Sequence, residues 1–289
     1  MKTTRIAFAI LLVGVFSASA QAQEEPLVLY DNFNSSVIDS NKWLGREFET
    51  PGTNVLEIVR EIDRGSLLIS SRSYASTTQN NTGRGLTATS LRISEPENVT
   101  TIEAIIQVND VETVDCDGNT FHTYTRATVM GVFFNAGSTS PAFGDATNDV
   151  TAIIGPERGS PTSRSDRTMN ISARVYKCLD PQCVYGTVLA SQNLGIIRVG
   201  QKRKLRLAWD KANSQFIFAS TPVGGNWLTS GQSAVISYEG ELTDTYPPGF
   251  AHKRLEIVQM IPNCTEETAP VAYMDVYFDN VYVNESALP

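Results

Sequence analysis

VAYMDVYFDNVYVN, residues 271–284, is the stretch that decides the fold. Its apolar residues alternate with polar or aromatic ones almost to the C-terminus, and a period of two belongs to an extended strand with one face buried. A terminal strand this apolar must be paired inside a sheet, because as an open edge it would recruit other chains. The same period appears in LRLAWDKANSQFIFAS, residues 205–220, where Leu205, Leu207 and Trp209 alternate with charged or small residues. Asp210 to Ser214 supplies turn chemistry, and Phe216 and Phe218 then alternate in their turn. That is a β-hairpin with one buried face.

Outward from these segments, short runs rich in Val, Ile, Thr, Tyr and Phe recur along the chain, broken by Gly, Asn, Asp, Ser and Pro. They predict strands near residues 27–33, 55–62, 66–72, 87–93, 99–109, 126–135 and 149–155. Further strands are predicted near 169–177, 184–192, 203–209, 214–219, 233–239, 254–261 and 271–283. With no clear helix and no repeat of fixed period, the expectation is an all-β chain, folded as one antiparallel two-sheet β-sandwich. Two connections, Gly137 to Asn148 and Gly155 to Thr168, read as long loops rich in Gly, Pro, Ser and Thr. Such loops are mobile connections or, on a rigid β scaffold, carriers of function.

The N-terminus reads MKTTRIAFAILLVGVFSASAQAQ: a basic start at Lys2 and Arg5, an apolar run from Ile6 to Phe16, then small residues at Ala18-Ser19-Ala20 and Ala20-Gln21-Ala22. This is the layout of a secretory signal peptide, expected over residues 1–22, with one domain over 23–289. The apolar run is shorter than the ~20 residues a membrane-spanning helix needs, so no membrane insertion of the mature chain is expected. The formal charge of −8 becomes two units more negative once Lys2 and Arg5 are removed. That balance argues against nucleic acid and against an anionic membrane surface, both of which call for clustered Lys and Arg.

The four cysteines form an even set, and in an exported chain they are expected as disulfides. Cys178 and Cys183 flank Leu-Asp-Pro-Gln, a turn between two apolar strands, which pairs them and leaves Cys116 with Cys264. A zinc site is the rival, but Cys-x4-Cys with only His122 and His252 elsewhere gives it little support. The export signal looks bacterial, so the six Asn-x-Ser/Thr triplets, at Asn34, Asn80, Asn98, Asn170, Asn263 and Asn284, carry no weight as glycosylation sites.

The mature chain opens with YDNFNSSVIDSNKW at Tyr30 to Trp43 and closes with YFDNVYV at Tyr277 to Val283. This pairing, with GSLLISSRS and the Trp209-Asp210 hairpin, resembles the concanavalin A-like lectin/glucanase jelly-roll superfamily that includes laminin G-like modules. The resemblance implies that the first and last strands lie side by side, bringing Asp31 near Asp279. It further implies a structural calcium at that edge with Asp31 and Asp279 as ligands, although Asn32 stands where some relatives carry Glu. The residues alone equally allow both aspartates to cap turns. Asp115-Cys116-Asp117-Gly118-Asn119 resembles the start of a calcium loop, but it lacks the distal Glu and is ordinary turn chemistry.

Hydrolases of that superfamily carry Glu-x-Asp-x-x-Glu on one strand, and this chain does not. Glu57, Glu61 and Asp63 share one strand face, which reads as a solvated acidic face. Asp275 and Asp279 stand about 13 Å apart on a strand, too far to act as one pair. No Gly-x-Ser-x-Gly elbow occurs, and the histidine-glutamine-tyrosine set of lyase relatives is not visible. The reading therefore leans away from an enzyme. Glycan binding asks only for exposed rings and polar groups to orient hydroxyls. The candidates are Trp227 in GGNWLTSG, the trio Tyr246, Phe250 and His252 in TYPPGFAH, and His122 and Tyr124 beside Phe121 and Arg126. Folding back as loop packing is the alternative for each ring. The expected function is a secreted or periplasmic lectin-like module binding polysaccharide; a polysaccharide-degrading enzyme and a structural envelope protein that binds another protein are the alternatives.

Overall fold

A computed structural model describes residues 25–49, 56–74, 83–135, 145–160, 167–181, 183, 186–244, 252–265 and 271–287. The expected signal peptide lies outside them, as do Tyr246 and Phe250. Among the described residues sixteen strands are formed: β1 (Leu27–Asp31), β2 (Trp43–Glu49), β3 (Leu56–Asp63), β4 (Ser66–Tyr74), β5 (Arg84–Ile93), β6 (Thr101–Val114), β7 (Tyr124–Asn135) and β8 (Val150–Gly159). They continue as β9 (Thr168–Cys178), β10 (Gly186–Arg198), β11 (Lys202–Asp210), β12 (Gln215–Pro222), β13 (Gln232–Ser237), β14 (Leu242–Thr243), β15 (Lys253–Pro262) and β16 (Val271–Asn284). A helical turn, α1 (Trp227–Ser230), lies between β12 and β13, and a 3-10 turn (Glu285–Ala287) follows β16. All fourteen expected strands are present; β2, β14 and α1 are additional. Among the described residues no helix is long and apolar enough to cross a membrane.

The strands form an antiparallel two-sheet sandwich. Sheet A runs β13-β12-β11-β6-β16-β4-β3, with β1 also on β16; sheet B runs β10-β9-β8-β7-β15-β5-β2, with β14 on β7. The first strand does lie beside the last: Leu27 pairs with Asn284 and Asp31 with Val281. The 205–220 hairpin closes as its composition predicts, with Asp210 accepting from Asn213 and Gln215 side chains at 2.7 and 2.9 Å. Ser214 adopts φ 51 at that turn. One expectation changes: Gly155 to Gly159 extends β8 rather than opening a loop.

Alternation decides what lies between the sheets. Ile102, Ala104, Ile106 and Val108 of β6, with Met274, Val276 and Phe278 of β16, face Ala127, Val129 and Phe133 of β7 and Leu255 and Ile257 of β15. Each large side chain so buried contributes about 1.5–3 kcal/mol. Phe133 packs 4.7 Å from Trp209 and 4.9 Å from Phe216, and Trp209 Nε1 donates to Tyr238 Oη at 2.8 Å. Toward one end the interior turns polar. Gln259 accepts from Ser71 and Ser73 hydroxyls at 3.0 and 2.6 Å and donates to the carbonyls of Ser71 and Ala272 at 2.9 and 3.1 Å. This buried amide has both its oxygen and its nitrogen occupied, which is what makes its burial tolerable.

Two disulfides complete the scaffold, Cys178–Cys183 across the end of β9 and Cys116–Cys264 between the β6–β7 connection and the end of β15. The second joins residues 148 apart in sequence. Within the same connection Asn119 donates to the carbonyls of Gly83 and Asn263, and Asp115 accepts from the Thr123 amide. The Asp-Cys-Asp-Gly-Asn segment is thus used to hold chain to chain, with Gly118 at the positive φ its turn requires.

Candidate functional site

Because the apolar residues of β7, β15, β8 and β9 turn inward, their polar partners are forced onto the outer face of sheet B. Neighbouring strands are in register there, so these side chains fall into rows. One row crosses from Arg92 (β5) to Arg254 (β15), Met130 (β7), Ile153 (β8) and Arg174 (β9). The next holds Arg46, Ser90, Glu256 and Thr128. A third holds Val258, Arg126, Glu157 and Asn170.

The groups interlock. Tyr124 Oη donates to Glu157 Oε2 at 2.6 Å, and Arg174 pairs with the other oxygen of Glu157. Arg126 donates to Tyr176 Oη, and its guanidinium lies 5.9 Å from the Tyr124 ring centroid and 5.7 Å from that of Tyr176. Arg254 pairs with Glu256 at 2.9 Å, and Arg92 Nη1 stands 3.2 Å from His252 Nδ1. Glu256 is only 1% exposed and Arg126 9%, yet Glu256 Oε2, Arg126 Nε, Arg92 Nε and Thr128 Oγ1 have no hydrogen-bond partner among the described residues.

The electrostatics follow from crowding. Burial pushes His252 down to about 2, helped by Arg254, Arg92 and Arg46, so the imidazole is neutral. Burial also lowers Arg92, with Arg46 and Arg254 adding repulsion. Burial raises the Glu256 carboxyl against the pull of Arg254 and Arg126. For Arg126 burial opposes the charge, but Tyr176, Tyr124 and Glu256 more than offset it and hold the guanidinium protonated. The face as a whole sets Arg46, Arg92, Arg126, Arg174 and Arg254 against Glu157 and Glu256, on a chain whose formal charge is −8.

The glycan-binding candidates are divided by the fold. Tyr124 and His252 lie on this face of sheet B. His122 is in the connection before β7, exposed, with Nδ1 2.8 Å from Asp115 Oδ2. Trp227 is on the opposite side of the sandwich. Its ring covers Lys204 and Arg206 of β11 at 4.5 and 4.8 Å on the outer face of sheet A, where Glu103 pairs with both cations. Beside this cluster an open cavity of about 310 Å³ is lined by Glu25, Leu27, Glu103, Arg206 and Tyr282. Glu57, Glu61 and Asp63 also share the outer face of sheet A, and Asp63 accepts from Tyr277 Oη at 2.7 Å.

At the proposed calcium edge, Asp31 accepts from the Phe33 amide at 2.8 Å and from Trp43 Nε1 at 2.7 Å, leaving both carboxylate oxygens engaged. Asp279 is raised by burial, opposed by the Asn280 amide and by Lys202. Among the described residues no three His, Cys, Asp or Glu side chains gather as a cation site, so these residues do not fit a calcium ion, which takes six to eight oxygens. Sequence reading noticed Tyr124 and Arg126 but missed Arg174, Tyr176, Arg254 and Glu256. Their signal was present: a charged residue on the face opposite the core, in strand after strand.

No family model matches the chain, and no curated protein is similar to it. Solved structures similar to it include several lectins and a carbohydrate recognition domain. A winged bean acidic lectin complexed with methyl-α-D-galactose is 8% identical, covers 83% of this chain and 99% of its own, and has a TM-score of 0.29. The potassium-bound Emp46p carbohydrate recognition domain is 10% identical, covers 87% and 96%, and scores 0.30. The VIP36 exoplasmic/lumenal domain in its Ca²⁺/Man2-bound form is 7% identical, covers 88% and 87%, and scores 0.34. Likeness of this degree carries no argument about ligand or metal, and the fold rests on the strand pairing itself.

Proposed function

We propose that this is a bacterial protein, secreted or periplasmic, that binds polysaccharide without cleaving it, on the outer face of sheet B. The observation that carries the reading is the set of buried polar atoms on that face with no partner among the described residues: Glu256 Oε2, Arg126 Nε, Arg92 Nε and Thr128 Oγ1. Buried polar groups in folded proteins are nearly always satisfied, and a cluster of unsatisfied ones needs water or a hydroxyl-rich ligand. Tyr124 and Tyr176, both half-buried, supply rings beside them, an amphipathic surface against which a sugar face can pack. The two disulfides suit an oxidising compartment. Glu157 and Glu256 lie on strands two apart and in adjacent rows, about 12 Å at the backbone, and each is held by an arginine, which favours binding over paired-carboxylate hydrolysis.

The test is affinity electrophoresis against a panel of neutral and acidic polysaccharides, with a parallel assay for released reducing ends. Tyr124→Ala is expected to weaken retardation at least tenfold with circular dichroism unchanged, Trp227→Ala to leave it intact, and no reducing ends to appear. Loss of binding in Trp227→Ala alone would move the site to sheet A and refute this reading.

A further inference from the structure

Resting on that reading, we infer that the polysaccharide bound is anionic: a uronate-bearing chain lying across the strands, with its carboxylates on the arginines of sheet B. Three observations converge. The first is charge placement. On an acidic chain the face concentrates Arg46, Arg92, Arg254, Arg126 and Arg174, and the imidazole in their midst is neutral, so it neither adds to nor offsets that charge.

The second is that the arginines outnumber the carboxylates set among them. Arg92 and Arg254 are directly paired across β5 and β15, and Arg46 lies on the adjoining strand. Of the two carboxylates available, Glu157 is engaged by Arg174 and Tyr124. Glu256 meets Arg254 with one oxygen, and the other has no partner among the described residues. A guanidinium fork matches a planar carboxylate in shape as well as charge, so an incoming uronate relieves this crowding where a hydroxyl does not.

The third is geometry. The row Arg92, Arg254, Met130, Ile153, Arg174 crosses four inter-strand steps, a strip of about 19 Å with part-exposed arginines at its ends and buried Met130 and Ile153 between them. Arginines at both ends of such a strip suit a repeating polyanion rather than a single small acid. Tyr176 lies on β9 two residues from Arg174, and its hydroxyl is already drawn toward Arg126, which places a ring beside one end of the strip.

The experiment compares polygalacturonate and alginate with the same polymers after carboxyl reduction, by isothermal titration at 50 and 300 mM NaCl. The carboxylated forms are expected to bind at least tenfold more tightly than their reduced counterparts, and to weaken at least fivefold at the higher salt. Arg46→Gln, an exposed position whose loss spares the fold, and Arg174→Gln are each expected to reduce affinity severalfold. Lys204→Gln on sheet A is expected to leave it unchanged. Equal binding of carboxylated and reduced polymers overturns the anionic inference and keeps the polysaccharide reading. Binding to neither overturns both. Equally tight binding of phosphatidylglycerol vesicles or single-stranded DNA overturns the inference in favour of a general anion surface.

Discussion

Each sheet carries one deeply buried glutamate on its outer face, and the two are treated differently. Glu103 on sheet A, 5% exposed, gives one oxygen to Arg206 at 2.8 Å and the other to Lys204 at 3.6 Å, and Trp227 closes over both cations. Glu256 on sheet B, 1% exposed, gives one oxygen to Arg254, and its other oxygen has no partner among the described residues, amid arginines that outnumber it. In the Glu103 cluster the charges offset one another, although Trp227 Nε1 has no partner among the described residues. An open cluster retains a demand that something from outside can meet. The contrast separates two charged faces that composition alone makes look alike.

Three substitutions sharpen or break the contrast. The largest effect is expected beneath the sheet B face. A Cβ at Gly155 would stand 1.8 Å from the Ala127 carbonyl oxygen, so Gly155→Ala must push β8 from β7. It should cost about 4 kcal/mol in chemical denaturation, enough to lose most folded protein. Tolerance of this change would mean that the floor of the face is more pliable than its packing shows.

Glu103→Gln comes next. It strips the counter-charge from two partly buried cations and should cost about 3 kcal/mol at neutral pH. Glu256→Gln is expected to cost under about 1 kcal/mol, because the amide preserves an acceptor for Arg254 and removes a carboxylate that burial disfavours. Its pH dependence gives a sign. The folded pKa of Glu256 is raised, so its contribution is complete below the unfolded value of about 4.3 and is lost as pH rises through the folded value. Relative to Glu256→Gln, the wild type should therefore lose stability as the pH of the denaturation series is raised from 4. Equal costs for the two glutamate variants would erase the distinction between the faces.

Much of the architecture was legible because it depends on a local signal. Strands with a clear period of two, such as 205–209 and 271–283, were found where the structure has them. β2 was missed because WLGREFE mixes glycine and charge at a sheet edge, where only one side needs pairing. β8 was ended early because Gly155 and Pro156 are strand breakers. In the fold the ladder to β7 runs from Ile154↔Val129 to Glu157↔Arg126, and Pro156, with no N–H to donate, falls between. The cysteine pairs were readable from a five-residue turn and from elimination, and both are formed.

The site was legible only in pieces. Tyr124 and Arg126 caught attention because they sit in one short segment, whereas Arg174, Arg254 and Glu256 join them from strands that only pairing register aligns. What the sequence by itself determined is which residues alternate, hence which side chains must share a face and which pair of ends must meet. What only the tertiary structure decided is which strands become neighbours, hence that Trp227 and Tyr124 stand on opposite sides of the sandwich. The physical reason is that alternation is a property of one strand's backbone. The gathering of five arginines on one surface is instead set by hydrogen-bonded register between strands far apart in the chain.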